Sequence, residues 1–308
     1  MSEKHAERAC WCGHPTLEAY SDDYRVCKAC GTLVSRAPLV EGLYGKGYWT
    51  ERQTAHHGLP DITERARLDL PERCTHWLRR LLEVRLPPAR VLEVGCAHGG
   101  YVALLGWAGF DAIGTEMSLW AARFAHETFG VTVLGGAVEK QDLKEGSFDV
   151  IVMNDVIEHL PDPLMTLRHC ARLLSRDGFF VIQTPEYIEH LTLAELRATN
   201  DLFLKHMDRN NEEHLHLFSR RSAGLLFSRI GFPLLDFSNP VYAYDMSFVA
   251  SRAPLRANDE ASVAAALCAK PVGRLVQALL DKAYESNDRW WAIQRLEARL
   301  NPPQSPRS

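Results

Sequence analysis

Long hydrophobic runs are missing from this sequence. The longest apolar stretches, such as VIVM and GFFVI, have the length of a β-strand, and the amino-terminal MSEKHAERAC is charged where a secretory signal is apolar. We therefore predict a soluble, cytoplasmic protein with no membrane partner. An excess of positive charge is also missing, because the formal net charge is −4 and both signs are mixed along the chain. Nucleic acid is therefore a disfavoured partner.

Apolar residues are abundant, at 46% of 308 residues, which is enough to bury a full core. From residue 90 onward, apolar strands alternate with amphipathic helices, a pattern typical of a parallel sheet covered on both faces. The predicted fold class is α/β, with a doubly wound, mostly parallel, Rossmann-like sheet. The predicted parts are a zinc-knuckle module over 1–50, a helical linker over 51–84, the α/β domain over 85–254 with a lid at about 188–211, and a helical tail over 255–308.

Cysteine is concentrated at the amino terminus, where four of the eight cysteines lie in CWCG and CKACG. A CxxCG turn points two thiolates at one centre, and its glycine lets backbone amides approach the sulfurs. We therefore predict a structural zinc ion without an open position for water. Its predicted ligands are Cys10, Cys12, Cys27 and Cys30. Because CWCG is one residue shorter than the usual knuckle, free thiols or a redox pair stay open.

A glycine-rich turn ends the first strong strand, in VLEVGCAHGG. Gly95, Ala97 and Gly100 satisfy a relaxed dinucleotide fingerprint, which is weak support for NAD. Glu93 favours another ligand, because its carboxylate would meet the ammonium group of S-adenosylmethionine but would be repelled by the phosphates of NAD. Glu116, at the end of the next strand, is placed to accept the ribose hydroxyls of either cofactor.

Four successive motifs resemble those of the class I S-adenosylmethionine-dependent methyltransferases, over roughly residues 85 to 250. They are VLEVGCAHGG, GTEMS, GSFDVIVMNDVIEHLPDP and GFFVIQTP. The sequence departs from the family at Ala97, where the loop usually has glycine. The resemblance implies S-adenosylmethionine as cofactor, bound by Glu93, Gly95, Cys96, Ala97 and Gly99 at the methionine part, Glu116 at the ribose, Met117, Val138 and Glu139 at the adenine, and Asn154 and Asp155 near the methyl group.

A narrower resemblance covers the amino terminus. Cysteine knuckles followed by the aromatic YGKGYW look like bacterial methyltransferases that carry an amino-terminal zinc-binding module. Members of that group are often associated with sugar, glycan or natural-product tailoring, which implies a small-molecule acceptor. The larger sugar C-methyltransferases of this type have a long additional carboxy-terminal domain, whereas only a short helical tail follows here.

A hydroxyl acceptor must lose a proton, and histidine is the side chain best suited to accept it at neutral pH. We predict that His159 and His214 are catalytic, with capping or loop packing as the alternative for His159. The Glu158–His159 pair also resembles a motif that contributes to a divalent metal site in some small-molecule O-methyltransferases, so Mg²⁺ is a further expectation at the acceptor site. The predicted substrate-binding residues are Tyr48, Trp49, Glu213 and His216, with core packing as the alternative for Tyr48, Trp49 and His216.

The predicted function is transfer of a methyl group from S-adenosylmethionine to a hydroxyl of a small molecule, a sugar or a tailored metabolite. An NAD-dependent oxidoreductase on a similar fold and a non-catalytic zinc-containing binding protein are the alternatives. In the tail, RWWAIQRLEARL carries Trp290 and Trp291 on a helix. We expect these to pack onto the domain or to form a homodimer through the carboxy-terminal helices.

Overall fold

The protein is described by a computed structural model over residues 8–40, 42–207 and 213–300, with side chains at 56, 57 and 286–300 left out of the description. Its strands form two sheets, one of four strands and one of seven. In chain order the strands are β1 (Leu17–Ala19), β2 (Tyr24–Cys27), β3 (Leu33–Ser35), β4 (Arg90–Val94), β5 (Asp111–Glu116), β6 (Val133–Gly135), β7 (Phe148–Asn154), β8 (Leu174–Pro185), β9 (His216–Leu217), β10 (Leu234–Ser238) and β11 (Asp245–Ser251).

The α-helices surround the larger sheet and join it to the termini. They are α1 (Gln53–His57), α2 (Ile62–Leu68), α3 (Thr75–Leu82), α4 (Gly100–Ala108), α5 (Leu119–Phe129), α6 (Pro163–Leu173), α7 (Leu193–Thr199), α8 (Arg220–Arg229), α9 (Glu260–Cys268) and α10 (Pro271–Leu300). Short helical turns of other types occur at Tyr48–Arg52, Leu70–Cys74, Val138–Lys140, Ile157–His159 and Leu202–Met207.

The seven-stranded sheet has the order β10-β11-β8-β7-β4-β5-β6. Strands β4 to β8 pair in parallel, whereas β11 pairs antiparallel to β8 and β10 antiparallel to β11. The strand order reverses between β4 and β7, and the crevice at the carboxyl ends of the strands there is where open α/β sheets bind ligands. The predicted doubly wound, mostly parallel Rossmann-like fold is therefore confirmed.

Alternate residues of the central strands bury two different cores, which is why the strands read as continuous apolar runs. On β7, Ile151 and Met153 face one core together with α6 and α8. Val150 and Val152 face the other, where α3, α4 and α10 pack. Both faces of the sheet are therefore covered, and the polar strand ends remain as the place for chemistry.

The antiparallel edge differs from the sequence prediction in one strand. We expected a last strand or hairpin within VYAYDMSFVASR, and β11 lies there. Its hairpin partner is upstream, because Leu234–Ser238 forms β10 and pairs with Ser247–Ser251. The edge strand β10 is only partly buried and lacks a clear apolar alternation, so it gave little signal in the sequence.

The amino-terminal module shares its sheet with the rest of the chain. The smaller sheet has the order β1-β2-β3-β9, and β9 comes from the segment beyond the expected lid. Cys10, Cys27 and Cys30 belong to the same buried cluster as the strands of the larger sheet. The module is therefore packed against the α/β domain along its length and is not joined to it by a single linker.

Two connecting segments form more structure than a simple loop. The region expected to be a helical linker, 51–84, contains α1, α2 and α3, with a π-helical turn between α2 and α3 and another just before α1. The expected lid contains α7 and a 3₁₀ turn, and its Leu196, Phe203 and Met207 pack against Tyr24 of the module. Residues 208–211 of the expected lid lie outside the described part.

The tail is helical and breaks before Pro271, as the sequence predicts. Val272 and Leu275 on α10 are exposed. The homodimer contact stays a prediction, because the side chains of Trp290 and Trp291 lie outside the description, as does the whole of NPPQSPRS, which we expected to be disordered. Within the described ranges, every helix is too short or too polar to cross a bilayer.

Candidate active site

One cavity of about 1620 Å³ opens at the carboxyl ends of β4, β5 and β7. Typical small-molecule pockets measure about 300–1,000 Å³, so this one has room for two ligands side by side. Fifteen of the predicted site residues line it: Tyr48, Trp49, Glu93, Gly95, Cys96, Ala97, Glu116, Met117, Val138, Glu139, Asn154, Asp155, His159, Glu213 and His214.

The glycine loop turns through three left-handed residues. Gly95, Ala97 and Gly99 have φ values of 73°, 48° and 76°. A Cβ at Gly99 would lie 2.7 Å from Ala125 Cβ, and one at Gly95 would lie 2.7 Å from Val156 Cγ2, so both positions require glycine. Gly99 does not line the cavity and instead allows α4 to begin directly after the loop.

The left-handed conformation of Ala97 is stabilised by a hydrogen bond from its backbone amide to the Glu116 carboxyl group. The Ala97 amide donates to Glu116 Oε2 at 3.0 Å, and the Ser118 amide donates to Oε1 at 2.8 Å. Burial raises the pKa of Glu116, and these backbone donors oppose that shift. Glu116 therefore joins the end of β5 to the loop after β4, in addition to facing the cavity.

Glu93 and Asn154 present buried polar atoms to the cavity. Glu93 Oε2 and both amide atoms of Asn154 are buried and have no hydrogen-bond partner within the described protein. Burial raises the pKa of Glu93 well above its usual range, and the nearby charge of Glu116 adds to the shift. Unpaired buried polar atoms are costly, so this donor set suits a ligand with an ammonium group. S-adenosylmethionine has such a group and fits here.

A buried network that the sequence reasoning missed supports the glycine loop from the other side. His98 Nδ1 accepts from the Gly100 amide at 3.0 Å, which leaves Nε2–H to donate to Asp69 Oδ2 at 3.0 Å. Arg65 bonds both Asp69 and Gln53, at 3.2 Å and 2.7 Å. Burial lowers the pKa of His98. The four residues come from α1, α2 and two loops, so no local spacing marks them as a unit.

The side of the cavity where adenine contacts were predicted is formed after β5 and β6. Met117 is 56% exposed at its rim, while Val138 is buried and Glu139 accepts a hydrogen bond from Thr166. Gln141 donates to the carbonyl oxygens of Gly135 and Ala137. These bonds orient the backbone of the loop that follows β6.

The two predicted catalytic histidines lie together at the opposite side of the cavity. The ring centroids of His159 and His214 are 4.8 Å apart. His159 Nδ1 lies 3.0 Å from the Glu213 carbonyl oxygen, and His214 Nδ1 lies 3.0 Å from the His206 carbonyl oxygen. Because a carbonyl only accepts, each neutral ring carries its hydrogen on Nδ1 and its lone pair on Nε2.

Carboxylates and aromatic rings surround this histidine pair. Tyr48 Oη donates to Glu213 Oε2 at 2.7 Å, and Arg52 Nε lies 3.7 Å from Glu213 Oε1. Glu158 is fully buried, and Thr184 Oγ1 donates to it at 2.9 Å. Burial raises the pKa of Glu158 well above its usual range, and the charge of Asp155 adds to the shift.

Arg73, Asp155 and Asp245 form a second charged group at the cavity wall. Arg73 Nη1 lies 3.1 Å from Asp155 Oδ2, and Gln183 Nε2 donates to Asp155 Oδ1. Burial raises the pKa of Asp245 to about 8, with the charge of Asp155 adding to the shift and Arg73 opposing it. The sequence reasoning missed Arg73 and Asp245, which lie on an irregular helical turn and at the start of an antiparallel strand.

His216 requires a correction. It was expected to contact substrate, but it is 1% exposed, does not line the cavity, and its Nδ1 lies 3.2 Å from the Leu160 carbonyl oxygen. Burial lowers its pKa to about 3. His214 precedes β9 and lines the cavity, whereas His216 belongs to β9 and pairs with Val34 in the smaller sheet.

The four amino-terminal cysteines form one cluster. Cys10 and Cys30 have sulfurs 3.4 Å apart, Cys12 and Cys27 have sulfurs 3.5 Å apart, and all four lie within 4.8 Å of one another. A tetrahedral zinc with Zn–S bonds of about 2.3 Å would separate its sulfurs by about 3.8 Å. The donor set therefore fits zinc, and the one-residue-shorter first knuckle still closes on the centre.

Magnesium gains no such support at the acceptor end. Glu158, His159 and His214 place one ligand atom each within 4.8 Å of one another. Two imidazoles and one carboxyl group with a raised pKa are a poor match for Mg²⁺, which prefers octahedral oxygen ligands. The expected Mg²⁺ is therefore not supported by this donor set.

Fold and cavity together define the class of protein: a doubly wound α/β protein with a large cavity at the carboxyl edge of its sheet. A family model described as a methyltransferase domain matches residues 66–236, which is more than half of the chain. The chain therefore belongs to the class I S-adenosylmethionine-dependent methyltransferase family.

Individual relatives match the chain over shorter stretches. A ubiquinone biosynthesis O-methyltransferase from Bordetella avium is 33% identical over 114 residues, which cover 35% of this chain and 47% of the relative. A probable S-adenosylmethionine-dependent methyltransferase from Mycobacterium tuberculosis is 32% identical over 120 residues, covering 37% and 44%. The chain thus spans less than half the length of these curated relatives.

Solved structures resemble the chain more loosely. A S-adenosylmethionine-dependent methyltransferase from Thermotoga maritima, described as a possible histamine N-methyltransferase, has a TM-score of 0.46 at 23% identity and covers 62% of this chain and 96% of its own. A methyltransferase structure from Archaeoglobus fulgidus has a TM-score of 0.48 at 16% identity and covers 66% of this chain and 99% of its own.

Replacing Gly99 by alanine tests the geometry of the loop. We expect Gly99→Ala to destabilise the chain by about 1–3 kcal/mol, because it combines a left-handed alanine with a contact on Ala125. Gly106→Ala is the matched control, since a Cβ there meets nothing within 4 Å and the residue lies inside α4. We expect the control to stabilise by about 0.5–1 kcal/mol. Urea unfolding measures both, and equal stability of the two variants would contradict the loop geometry.

Proposed function

We propose that this methyltransferase transfers its methyl group to a hydroxyl of a small polar molecule, a sugar or a tailored metabolite, with a histidine as general base. The observation that carries the proposal is the pair His159 and His214, whose rings lie 4.8 Å apart in the cavity that Glu93 and Glu116 also line. We thus assign binding of the methyl donor and binding of the methyl acceptor to different parts of the same cavity.

The donor half is assigned to Glu93, Asn154 and Glu116. The unpaired Glu93 oxygen and Asn154 amide suit the ammonium and carboxylate of the methionine part. Glu116 is assigned to the ribose. Its oxygens accept from the Ala97 and Ser118 amides, and their remaining lone pairs would accept hydrogen bonds from the ribose hydroxyls. An NAD pyrophosphate would instead lie beside two buried carboxyl groups, so the oxidoreductase alternative loses support.

The bound S-adenosylmethionine supplies a methyl carbon made electrophilic by its sulfonium. No acid is needed for the leaving group, so the protein mainly has to hold the acceptor oxygen in line with that carbon and remove its proton. The lone pairs on Nε2 of His159 and His214 are suited to accept this proton. The carbonyl bonds at Nδ1 orient both rings and stabilise the imidazolium that forms.

The acceptor class is inferred from the wall around the histidines. Tyr44 and Tyr48 contact each other edge to face at 5.0 Å, and Tyr44 approaches His159 at 6.3 Å. Arg73 and Asp245 add polar groups on the same wall. Aromatic faces with interspersed hydrogen-bonding groups suit a hydroxylated ring. The similarity to the Bordetella relative, an O-methyltransferase, also supports oxygen as the attacked atom.

The four-cysteine cluster is proposed to hold a structural zinc ion through Cys10, Cys12, Cys27 and Cys30. Four thiolates complete the tetrahedral shell, so the ion would stabilise the module and would take no part in methyl transfer. We expect the purified chain to carry one zinc per molecule by plasma emission spectrometry, and Cys27→Ser to lose it. Cys268→Ser is the control and should retain the metal; a wild-type chain with four freely titrating thiols and no zinc would refute the assignment.

Glu93 gives the donor site a defined pH dependence. In the free protein its pKa is raised, so it holds a proton at pH values where a solvated glutamate has lost it, whereas a neighbouring ammonium favours the ionised form. Binding of S-adenosylhomocysteine should therefore release a proton, and affinity should increase as pH rises above the usual range of a glutamate pKa. Calorimetry in buffers of different ionisation enthalpy measures this release.

Glu93→Gln should lose the proton release and bind S-adenosylhomocysteine about 10- to 100-fold more weakly, since a charge-assisted hydrogen bond is removed. Asp111→Asn is the control, because Asp111 is exposed at the start of β5, away from the carboxyl ends of the strands. This variant should retain the proton release and the affinity of the wild type. Unchanged proton release in Glu93→Gln would assign the titration to another group and contradict the role of Glu93. NAD titrated in parallel should not bind.

Asparagine at the two histidines tests the proposed base. Activity is measured with radiolabelled S-adenosylmethionine and a library of hydroxylated small molecules. Of His159→Asn and His214→Asn, the variant that removes the base should lower kcat by about 10²- to 10⁴-fold and leave the affinity for S-adenosylhomocysteine unchanged. His126→Asn, on the exposed face of α5, serves as the control. Full activity in both variants would exclude a histidine base.

A further inference from the structure

We infer that the amino-terminal cysteine module positions the acceptor side of the cavity, and that Tyr24 is the positioning residue through which it acts. The inference rests on the proposed function only for the role of His214. The observation behind it is that residues 213–217, which carry Glu213 and His214, are held between the module on one side and the turn after β7 on the other.

Tyr24 reaches this segment directly. It is 1% exposed, and its hydroxyl donates to the His214 carbonyl oxygen at 2.9 Å, with the His206 carbonyl oxygen at 3.3 Å. The same His206 carbonyl lies 3.0 Å from His214 Nδ1. One buried hydroxyl therefore contacts both the backbone that carries the His214 ring and the carbonyl that orients it.

The module also pairs with the segment through its backbone. The Ser35 amide donates to the Leu215 carbonyl oxygen at 3.0 Å, and β3 continues into β9 by pairing Val34 with His216 and Leu33 with Leu217. On the other side, the Leu215 amide donates to the Glu158 carbonyl oxygen at 2.8 Å. The segment therefore transmits the position of the module to the turn that carries His159.

The path from Tyr24 to the cysteine cluster is short. Strand β2 begins at Tyr24 and ends at Cys27, and β3 follows directly after the second knuckle. Thr32, between that knuckle and β3, accepts from Trp11 Nε1 at 2.7 Å, and its hydroxyl oxygen lies 3.2 Å from the Cys30 sulfur. Strand β2 is paired with β3, and a paired strand is stiff over the three residues that separate Tyr24 from Cys27. The position of the cysteine cluster therefore determines the position of the Tyr24 hydroxyl.

The donor half has different supports. The glycine loop is held by Glu116 and by the His98–Asp69 pair, which belong to the α/β domain and to the end of α2. Disturbing the module at Tyr24 should therefore change the acceptor histidines and leave S-adenosylhomocysteine binding as it is. A purely structural role of Tyr24 would affect both halves, or stability alone.

Removing the Tyr24 hydroxyl tests the inference on the full chain. In Tyr24→Phe, NMR of selectively ¹⁵N-labelled histidines, with His214 and His159 assigned from their asparagine variants, should move the titration midpoint of His214 by about half a pH unit or more. S-adenosylhomocysteine affinity, measured by calorimetry, should equal that of the wild type. Tyr20→Phe is the matched control, because its hydroxyl in the same module bonds Leu191 of the expected lid, and it should leave the His214 signal unchanged.

Two results in Tyr24→Phe would overturn the inference. One is an unchanged titration midpoint of His214, and the other is a loss of S-adenosylhomocysteine affinity that accompanies the change in the histidine signals. If the variant does not fold, native-state hydrogen exchange on the wild-type chain decides. Amides of 213–217 should then open together with those of β3, whereas opening with β7 and β8 would contradict the coupling. The titration and exchange can be read without S-adenosylhomocysteine, so absence of donor binding would refute the proposed function separately.

Discussion

The donor half of this molecule depends on one buried carboxylate. Glu116 accepts from the amides of Ala97 and Ser118, and so ties the loop after β4 to the end of β5. Because both strands enter the sheet in parallel, their ends lie side by side, and this bond converts two adjacent ends into one rigid edge. The left-handed turn at Ala97 is maintained at that edge, and Glu93 is oriented behind it.

The acceptor half is built on a different principle. Its groups come from the amino-terminal helical turns, the turn after β7, the segment before β9 and the start of β11. Glu158 and Asp245 are buried there with raised pKa values, and Arg73 compensates part of the negative charge. Buried ionisable groups need partners that several elements hold in place. The cysteine module is one of these elements, because it bonds the backbone of His214 and Leu215.

Local patterns predicted the fold well, along with one group of residues that lines the cavity. The parallel sheet follows from continuous apolar strands between helices, and the loop residues follow from Glu93, Gly95 and Glu116 at strand ends. Less could be predicted where contacts join distant segments. The His98–Asp69 pair, Arg73 and Tyr24 have no periodicity or motif, because their partners lie on other elements. For His216 the structure agrees with the core-packing alternative, because the residue is buried in a sheet pairing that alternation along a strand cannot distinguish from a cavity face.

By itself, the sequence determined the class of fold, the strand ends that line the cavity and the grouping of four cysteines, because these depend on strand pattern and short-range spacing. The tertiary structure alone decided which histidine faces the cavity, how β9 completes the smaller sheet and which buried charges meet at the acceptor wall. Those outcomes depend on the packing of segments far apart in the chain, and the energy of such contacts is not encoded in any single stretch of residues.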